Sequence, residues 1–143
     1  MNRVLLTGGS GKLGRYVRSA LVAQDFDVRN FDKVSCRSDI DQVQADILDR
    51  KRLESSMIDR DVVIHLAALD AAVPATEQAF FEINVQGTWN VLEAAEKTGV
   101  QRVVLCSSVA ALGIGDETLP DYLPIDENHP CRPRQAYGLS KQV

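Results

Sequence analysis

The sequence of 143 residues is poor in cysteine, with three, and in histidine, with two. Cys36, Cys106 and Cys131 are odd in number and widely spaced, which excludes a closed disulfide framework and matches no paired zinc-site spacing. They read as reduced thiols, and Cys106, inside an apolar run, reads as a buried small hydrophobe. His65 and His129 have no second ligand at a usable spacing, so no metal site is expected; His65 reads as a strand-packing residue and His129 as part of a turn. Long hydrophobic runs are missing as well. The amino-terminal MNRVLLTGGSG offers one Arg and three aliphatics, far short of a signal-peptide core or of the roughly 20 residues that span a membrane. A cytoplasmic location without a membrane partner is the expectation. The net charge is only -4 and the basic residues are scattered, so there is no polyanion-binding patch and nucleic acid is not an expected partner. Internal repeats and low-complexity tracts are absent.

What is present is 45% hydrophobic and 25% charged residues, the balance of one well-cored globule. Apolar runs of strand length alternate with stretches of helical spacing, the mark of a parallel sheet covered on both faces. Val4 to Thr7 is a strand, and Leu13, Val17 and Leu21 form one face of the helix after it. Val28 to Phe31 closed by Asp32 is a second strand, and Val43 to Ala45 closed by Asp46 a weaker third. Asp49 is placed to cap a helix carrying Leu53 and Met57. Asp61 to Ala68 reads as a buried strand. The segment from Thr76 to Thr98 reads as one helix with Phe80, Ile83, Val91, Leu92 and Ala95 on its stripe, stopped by Gly99. Arg102 to Ser107 is a fifth strand. The stretch onward to Arg134 holds four prolines and little periodicity, a long loop of the kind that borders a site.

After the first strand, Gly8, Gly11 and Gly14 recur every third residue, with Lys12 and Leu13 between them. Gly8 permits a tight turn, Gly11 a close approach to a pyrophosphate and Gly14 close packing of the helix against the strand, and the helix amino terminus faces the phosphates. No Gly-Lys-Ser/Thr follows at nucleoside-triphosphate spacing. Asp32, at the end of the second strand, can accept both ribose hydroxyls and repels a 2′-phosphate, which favours NAD over NADP. Lys33 and Arg37 are close enough to soften that preference.

TGGSGKLG, the Asp46-Ile47 pair, HLAA at His65 to Ala68, NVQGT at Asn84 to Thr88, CSS at Cys106 to Ser108 and YGLSK at Tyr137 to Lys141 occur in one order. In that order the chain resembles the extended short-chain dehydrogenase/reductase family of the NAD-dependent epimerase/dehydratase type, along its whole length. The resemblance implies an α/β, doubly wound parallel sheet, with residues 1–143 forming an NAD(P)-binding Rossmann domain that stops before the substrate-binding part. It implies that Ser108, Tyr137 and Lys141 are catalytic. It further implies that Asp46 and Ile47 flank the adenine, and that Ala67, Ala68, Asn84, Tyr137 and Lys141 meet the ribose or nicotinamide side. The residues support part of this on their own terms. Tyr137 and Lys141 are four apart and share a helix face, and an ammonium beside a phenol favours its proton-accepting form.

The function expected is hydride transfer between the nicotinamide and a secondary alcohol or ketone, on a sugar or sugar nucleotide, by an NAD-dependent oxidoreductase or isomerase acting as a homodimer. The competing reading is a non-catalytic NAD(P)-binding regulator of the same fold, against which the intact Ser108, Tyr137 and Lys141 set speaks. The family's 4,6-dehydratases carry an Asp-Glu pair after the catalytic Ser or Thr. Here Val109 and Ala110 follow Ser108, which disfavours dehydration. Leu112 before Gly113, where 4-epimerases often have Tyr, leaves epimerase, dehydrogenase and reductase open. A sheet ending at the fifth strand is expected to leave an open apolar edge.

Overall fold

The computed structural model describes residues 2–36, 39–114 and 118–142. Their order is β1 (Arg3–Thr7), α1 (Gly14–Val22), β2 (Asp27–Asp32), β3 (Asp41–Gln44), α2 (Arg50–Met57), β4 (Val62–His65), α3 (Glu77–Phe80), a π-helical segment (Phe81–Gln86), α4 (Gly87–Thr98), β5 (Arg102–Leu105), a 3-10 turn (Val109–Leu112) and α5 (Ala136–Gln142). They group into two compact units, Met1–Ala68 with Gln86–Cys106, and Leu69–Val85 with Ser107–Val143. Among the described residues no helix is long and apolar enough to cross a membrane.

The first unit holds a five-stranded sheet in the order β3-β2-β1-β4-β5, parallel at every pairing. The chain runs outward from β1 through β2 to β3, and α2 then returns it past β1 to β4 and β5. Because such crossovers are right-handed, this reversal puts α1 on one face and α2 and α4 on the other. Accordingly, α2 and α4 pack together, joined by the Arg50–Glu93 ion pair. The expected doubly wound parallel sheet is therefore what forms. Its centre is β1, where Val4, Leu5 and Leu6 are at most 1% exposed, and Phe31, Leu53, Met57, Val63 and Val91 close around them. Asp49 caps α2 by accepting from Arg52 N at 3.1 Å, and Gly99 closes α4 in the left-handed region, at φ 74°.

Several expectations shift. The third strand is Asp41–Gln44 rather than Val43 to Ala45, because pairing with β2 from Arg29↔Asp41 onward sets its register despite its polar sequence. The fourth is only Val62–His65. Leu13 precedes α1 and is half exposed, and Leu92 faces outward at 40% exposure. Cys106 is exposed, not buried: β5 has no partner on its outer side among the described residues, and Val104 and Leu105 are each 46% exposed there. The expected open apolar edge is present.

In the second unit, the helix expected from Thr76 is broken. Thr76 does cap it, its Oγ1 accepting from Ala79 N at 3.2 Å, but α3 ends at Phe80 and the chain widens into the π-helical segment before α4. Such wide turns cluster at functional sites, and apolar spacing of helical period does not reveal them. Helix α5 packs on the 3-10 turn and on α3, with Phe80 and Tyr137 edge to face at 5.9 Å between ring centres.

Candidate cofactor cradle and catalytic elements

The cradle forms where the chain reverses direction, between the carboxyl ends of β1 and β4, the place where doubly wound sheets bind ligands. Gly8 turns with φ 74°, and a Cβ there would lie 2.6 Å from Ala67 N, so the loop after β1 and the segment Leu66–Ala68 after β4 touch. A Cβ on Gly14 would fall on Gly8 O and Gly9. The expectation had Gly14 accommodating the strand; the close neighbour is the glycine turn itself. Helix α1 begins there; Leu13 at its N-cap supplies no side-chain bond, and of the first-turn N–H groups Arg15 donates to Gly11 O at 3.1 Å and Tyr16 to Leu13 O at 3.0 Å. Gly11 and Lys12 are exposed beside them. This narrow turn, open to solvent at Gly11 and Lys12 and running into a helix amino terminus, suits a pyrophosphate.

Asp32 stands at the rim as expected. Its Oδ2 accepts from Ser10 N at 3.0 Å and its Oδ1 from Val34 N at 3.0 Å, so the carboxylate also fixes the glycine turn. Lys33 is exposed next to it; Arg37 lies outside the described residues. Behind the turn, buried Asn30 donates to Ser10 Oγ at 3.0 Å. Sequence reasoning passed over this support, an Asn between Arg29 and Phe31 in the middle of β2. Asp46 is exposed and its carboxylate accepts from Leu48 N at 2.9 Å. Ile47 is buried, its carbonyl accepting from Asn90 Nδ2 at 3.3 Å. Ala67 is half-buried and Ala68 exposed. An open groove of about 880 Å³ lies instead along β3, where it includes Lys33 and Asp46; its Arg29 is already paired with Asp41 and its Arg52 bound to Gln44 O.

The second unit carries the expected catalytic residues. Ser108 caps the 3-10 turn, its Oγ accepting from Ala110 N at 3.2 Å, which leaves the hydroxyl proton for another acceptor. Tyr137 and Lys141 lie on α5, both half-buried. Ser107 donates to Lys141 O at 3.0 Å. What brings α5 onto the turn that begins at Ser108 is Gly138: a Cβ there would sit 2.5 Å from Ala110 O and 2.9 Å from Pro133 Cβ. Sequence reasoning missed this residue, although a glycine inside a helix costs about 1 kcal/mol and so signals a packing reason. Asn84, in the π-helical segment, has its carboxamide turned on this unit's own chain. It accepts from Leu69 N at 2.7 Å, donates to Leu69 O at 3.1 Å and donates to Ser140 Oγ at 2.9 Å. Ser140 in turn donates to Tyr137 O at 2.7 Å.

The long loop is organised by its own side chains. His129 is buried, accepting from Asp121 N at 3.0 Å through Nε2; its Nδ1 lies 3.1 Å from Pro130 O, an acceptor, so Nδ1 bears the proton. Tyr122 packs against its ring, tilted by 51° at 5.1 Å between centres, and donates to Asp126 Oδ1 at 2.7 Å. That bond holds the Asp126 carboxyl below its usual range and raises the Tyr122 phenol.

A glycine turn at the reversal point of a parallel sheet, with a carboxylate at the end of the second strand, defines a dinucleotide-binding Rossmann protein. The profile of the NAD dependent epimerase/dehydratase family matches residues 4–143, and the chain belongs to that family. It is 33% identical to a uronate dehydrogenase of Pseudomonas putida over 98% of this chain and 52% of that protein. It superimposes with a TM-score of 0.88 on an NAD-bound short-chain dehydrogenase/reductase superfamily protein from Agrobacterium tumefaciens, at 35% identity over 98% of this chain and 42% of the other. For UDP-glucose 4-epimerase from Brucella ovis in complex with NAD the TM-score is 0.85, at 32% identity over 99% and 45%. The chain thus spans about half the length of the curated relatives it matches. NAD is the family's cofactor, as expected, and the family contains both epimerases and dehydrogenases.

Proposed function

We propose that the chain binds NAD and serves the interconversion of a secondary alcohol and its ketone on a sugar or sugar nucleotide, by oxidation, reduction or epimerisation. The observation that carries this reading is the glycine turn at the sheet's reversal point with Asp32 on its rim. Gly8, Gly11, Lys12, Leu13 and Gly14 would hold the pyrophosphate, Asp32 the adenosine ribose, Asp46 and Ile47 the adenine side, and Ala67 and Ala68 the other wall. Asp32 already binds Ser10 and Val34, yet each of its oxygens keeps a second lone pair for a ribose hydroxyl. The same carboxylate opposes a 2′-phosphate, which favours NAD over NADP. The chemistry that a bound nicotinamide supplies is reversible hydride transfer at carbon.

The remaining duties fall to this chain's own groups. Ser108 would hold the substrate oxygen by the hydroxyl proton its capping bond leaves over, Tyr137 would exchange that oxygen's proton, and Lys141 would keep the phenol in service and bind ribose. Asn84 would act by holding Leu69 and, through Ser140, the first turn of α5. Sugar nucleotides are the substrate class suggested by relatives such as the Brucella epimerase.

Calorimetric titration of the chain with NAD and NADP tests the first half: saturable binding of NAD, tighter than NADP, is expected, and equal affinity would remove the role given to Asp32. Tyr137→Phe in the whole protein tests the second. Its NAD affinity should stay within about twofold while kcat falls more than about tenfold, ~1.4 kcal/mol in the barrier. A wild-type protein that binds NAD and turns over neither sugars nor sugar nucleotides would instead favour a nucleotide-binding regulator.

A further inference from the structure

His65 lies in the wall of the cradle without a part in the function proposed above. It ends β4 opposite Thr7, which ends β1, so the two residues straddle the point where the sheet reverses direction. Both are buried, Thr7 at 0% and His65 at 5% exposure. Thr7 Oγ1 is 2.6 Å from His65 Nδ1 and accepts from Ala67 N at 3.3 Å. On the far side of the ring, Nε2 is 3.1 Å from Thr88 Oγ1 at the start of α4. One imidazole therefore ties together the residue before Gly8, the backbone two residues beyond itself and the helix behind both. Either neutral tautomer satisfies the chain, because each hydroxyl can donate or accept. Filling a gap between strands does not require three polar groups. An apolar side chain would do so without the desolvation that a buried imidazole and two hydroxyls incur, whereas a satisfied buried network adds rigidity and a single geometry.

We propose that His65, held by Thr88 and acting through Thr7, is a positioning residue that fixes the spacing between the Gly8 turn and the Leu66–Ala68 segment, and so keeps the cradle at the width NAD requires. This rests on the reading that the cradle binds NAD. Thr88 is the informative position, since it touches the ring from α4 and is not one of the residues proposed to hold the cofactor.

The test compares Thr88→Val, which keeps shape and loses the hydroxyl, with Thr88→Ser, which keeps the hydroxyl, and with His65→Phe. Two quantities are read on the folded chain: amide hydrogen exchange at Ala67 without ligand, and NAD affinity by titration. Losing the bond to Nε2 is expected to speed Ala67 exchange and weaken NAD by about fivefold each. Thr88→Ser should restore both, and the double variant with His65→Phe should bind NAD no more weakly than His65→Phe alone. If His65→Phe does not fold, the Val and Ser pair decides. A Thr88→Val protein with wild-type exchange and affinity overturns the proposal. Faster exchange with unchanged affinity overturns it too, by making the network merely structural. A wild-type chain that does not bind NAD removes the functional reading instead, and Ala67 exchange then still reports whether Thr88 controls the wall.

Discussion

Replacing Gly14 by Ala puts one methyl group where the glycine turn folds back on the start of α1. The new carbon would lie 2.5 Å from Gly9 Cα and collide still more closely with Gly8 O, and ordinary contact begins at 3.4 Å, so turn and helix must part by at least about 0.9 Å. Overpacking of that order costs about 1–3 kcal/mol, against which Ala gains about 1 kcal/mol over Gly inside a helix. The folded chain should therefore survive, with a net loss of about 0–2 kcal/mol. The cofactor should fare worse. Displaced by most of an ångström, an N–H aimed at the pyrophosphate gives up a bond to a charged group, about 1.5–3 kcal/mol, or about 10- to 150-fold in Kd. Isothermal titration with NAD measures the affinity and urea denaturation the stability. Gly99→Ala is the control, because Gly99 has φ 74° and nothing within 4 Å of its Cβ position. It should lose about 1–2 kcal/mol of stability from the left-handed backbone alone and bind NAD normally. A Gly14→Ala chain binding NAD within about twofold of wild type, or a Gly99→Ala chain weakened as much, would refute the reasoning.

Gly138→Ala should push α5 off the 3-10 turn, and since a misplacement of about 1 Å can cost 10²-fold, kcat of the whole protein should fall steeply, and more than the NAD affinity to which Lys141 contributes; turnover close to wild type would show that Gly138 does not set the position of Tyr137. Asp61 is held at a pKa of about 2 by the side-chain bond from Arg3, reinforced by Arg3 N. A carboxylate depressed from 3.8 contributes stability that is present above that value and lost as pH falls toward 2. Asp61→Asn should therefore flatten the acid limb of a stability–pH curve in that interval, and an unchanged limb would assign acid sensitivity to other groups.

The sheet and its glycine turn were legible because both are written in local patterns: apolar runs of strand length, and glycines just after the first of them. What escaped depends on neighbours far along the chain. Cys106 sits in as apolar a run as the inner strands, and it is exposed because β5 is the outermost strand among the described residues. The π-helical segment keeps apolar residues at helical spacing, so Thr76 to Thr98 read as one helix. Asn84 was readable as a family position, but its engagement with Leu69 and Ser140 requires that segment's wider turn. His65 was assigned to strand packing; its two hydroxyl partners lie 58 positions before it and 23 after it, where no spacing rule connects them. Asp32, by contrast, followed directly from its place at the end of the second strand.

The first unit is complete at Cys106, and every group assigned to the pyrophosphate and adenosine lies within it. In the order of synthesis, all five strands, the glycine turn, Asp32 and the His65 network are therefore made before Ser107 is added. NAD bound there would therefore act on the first unit as a folding ligand, stabilising it by mass action whether or not Tyr137 and Lys141 take part.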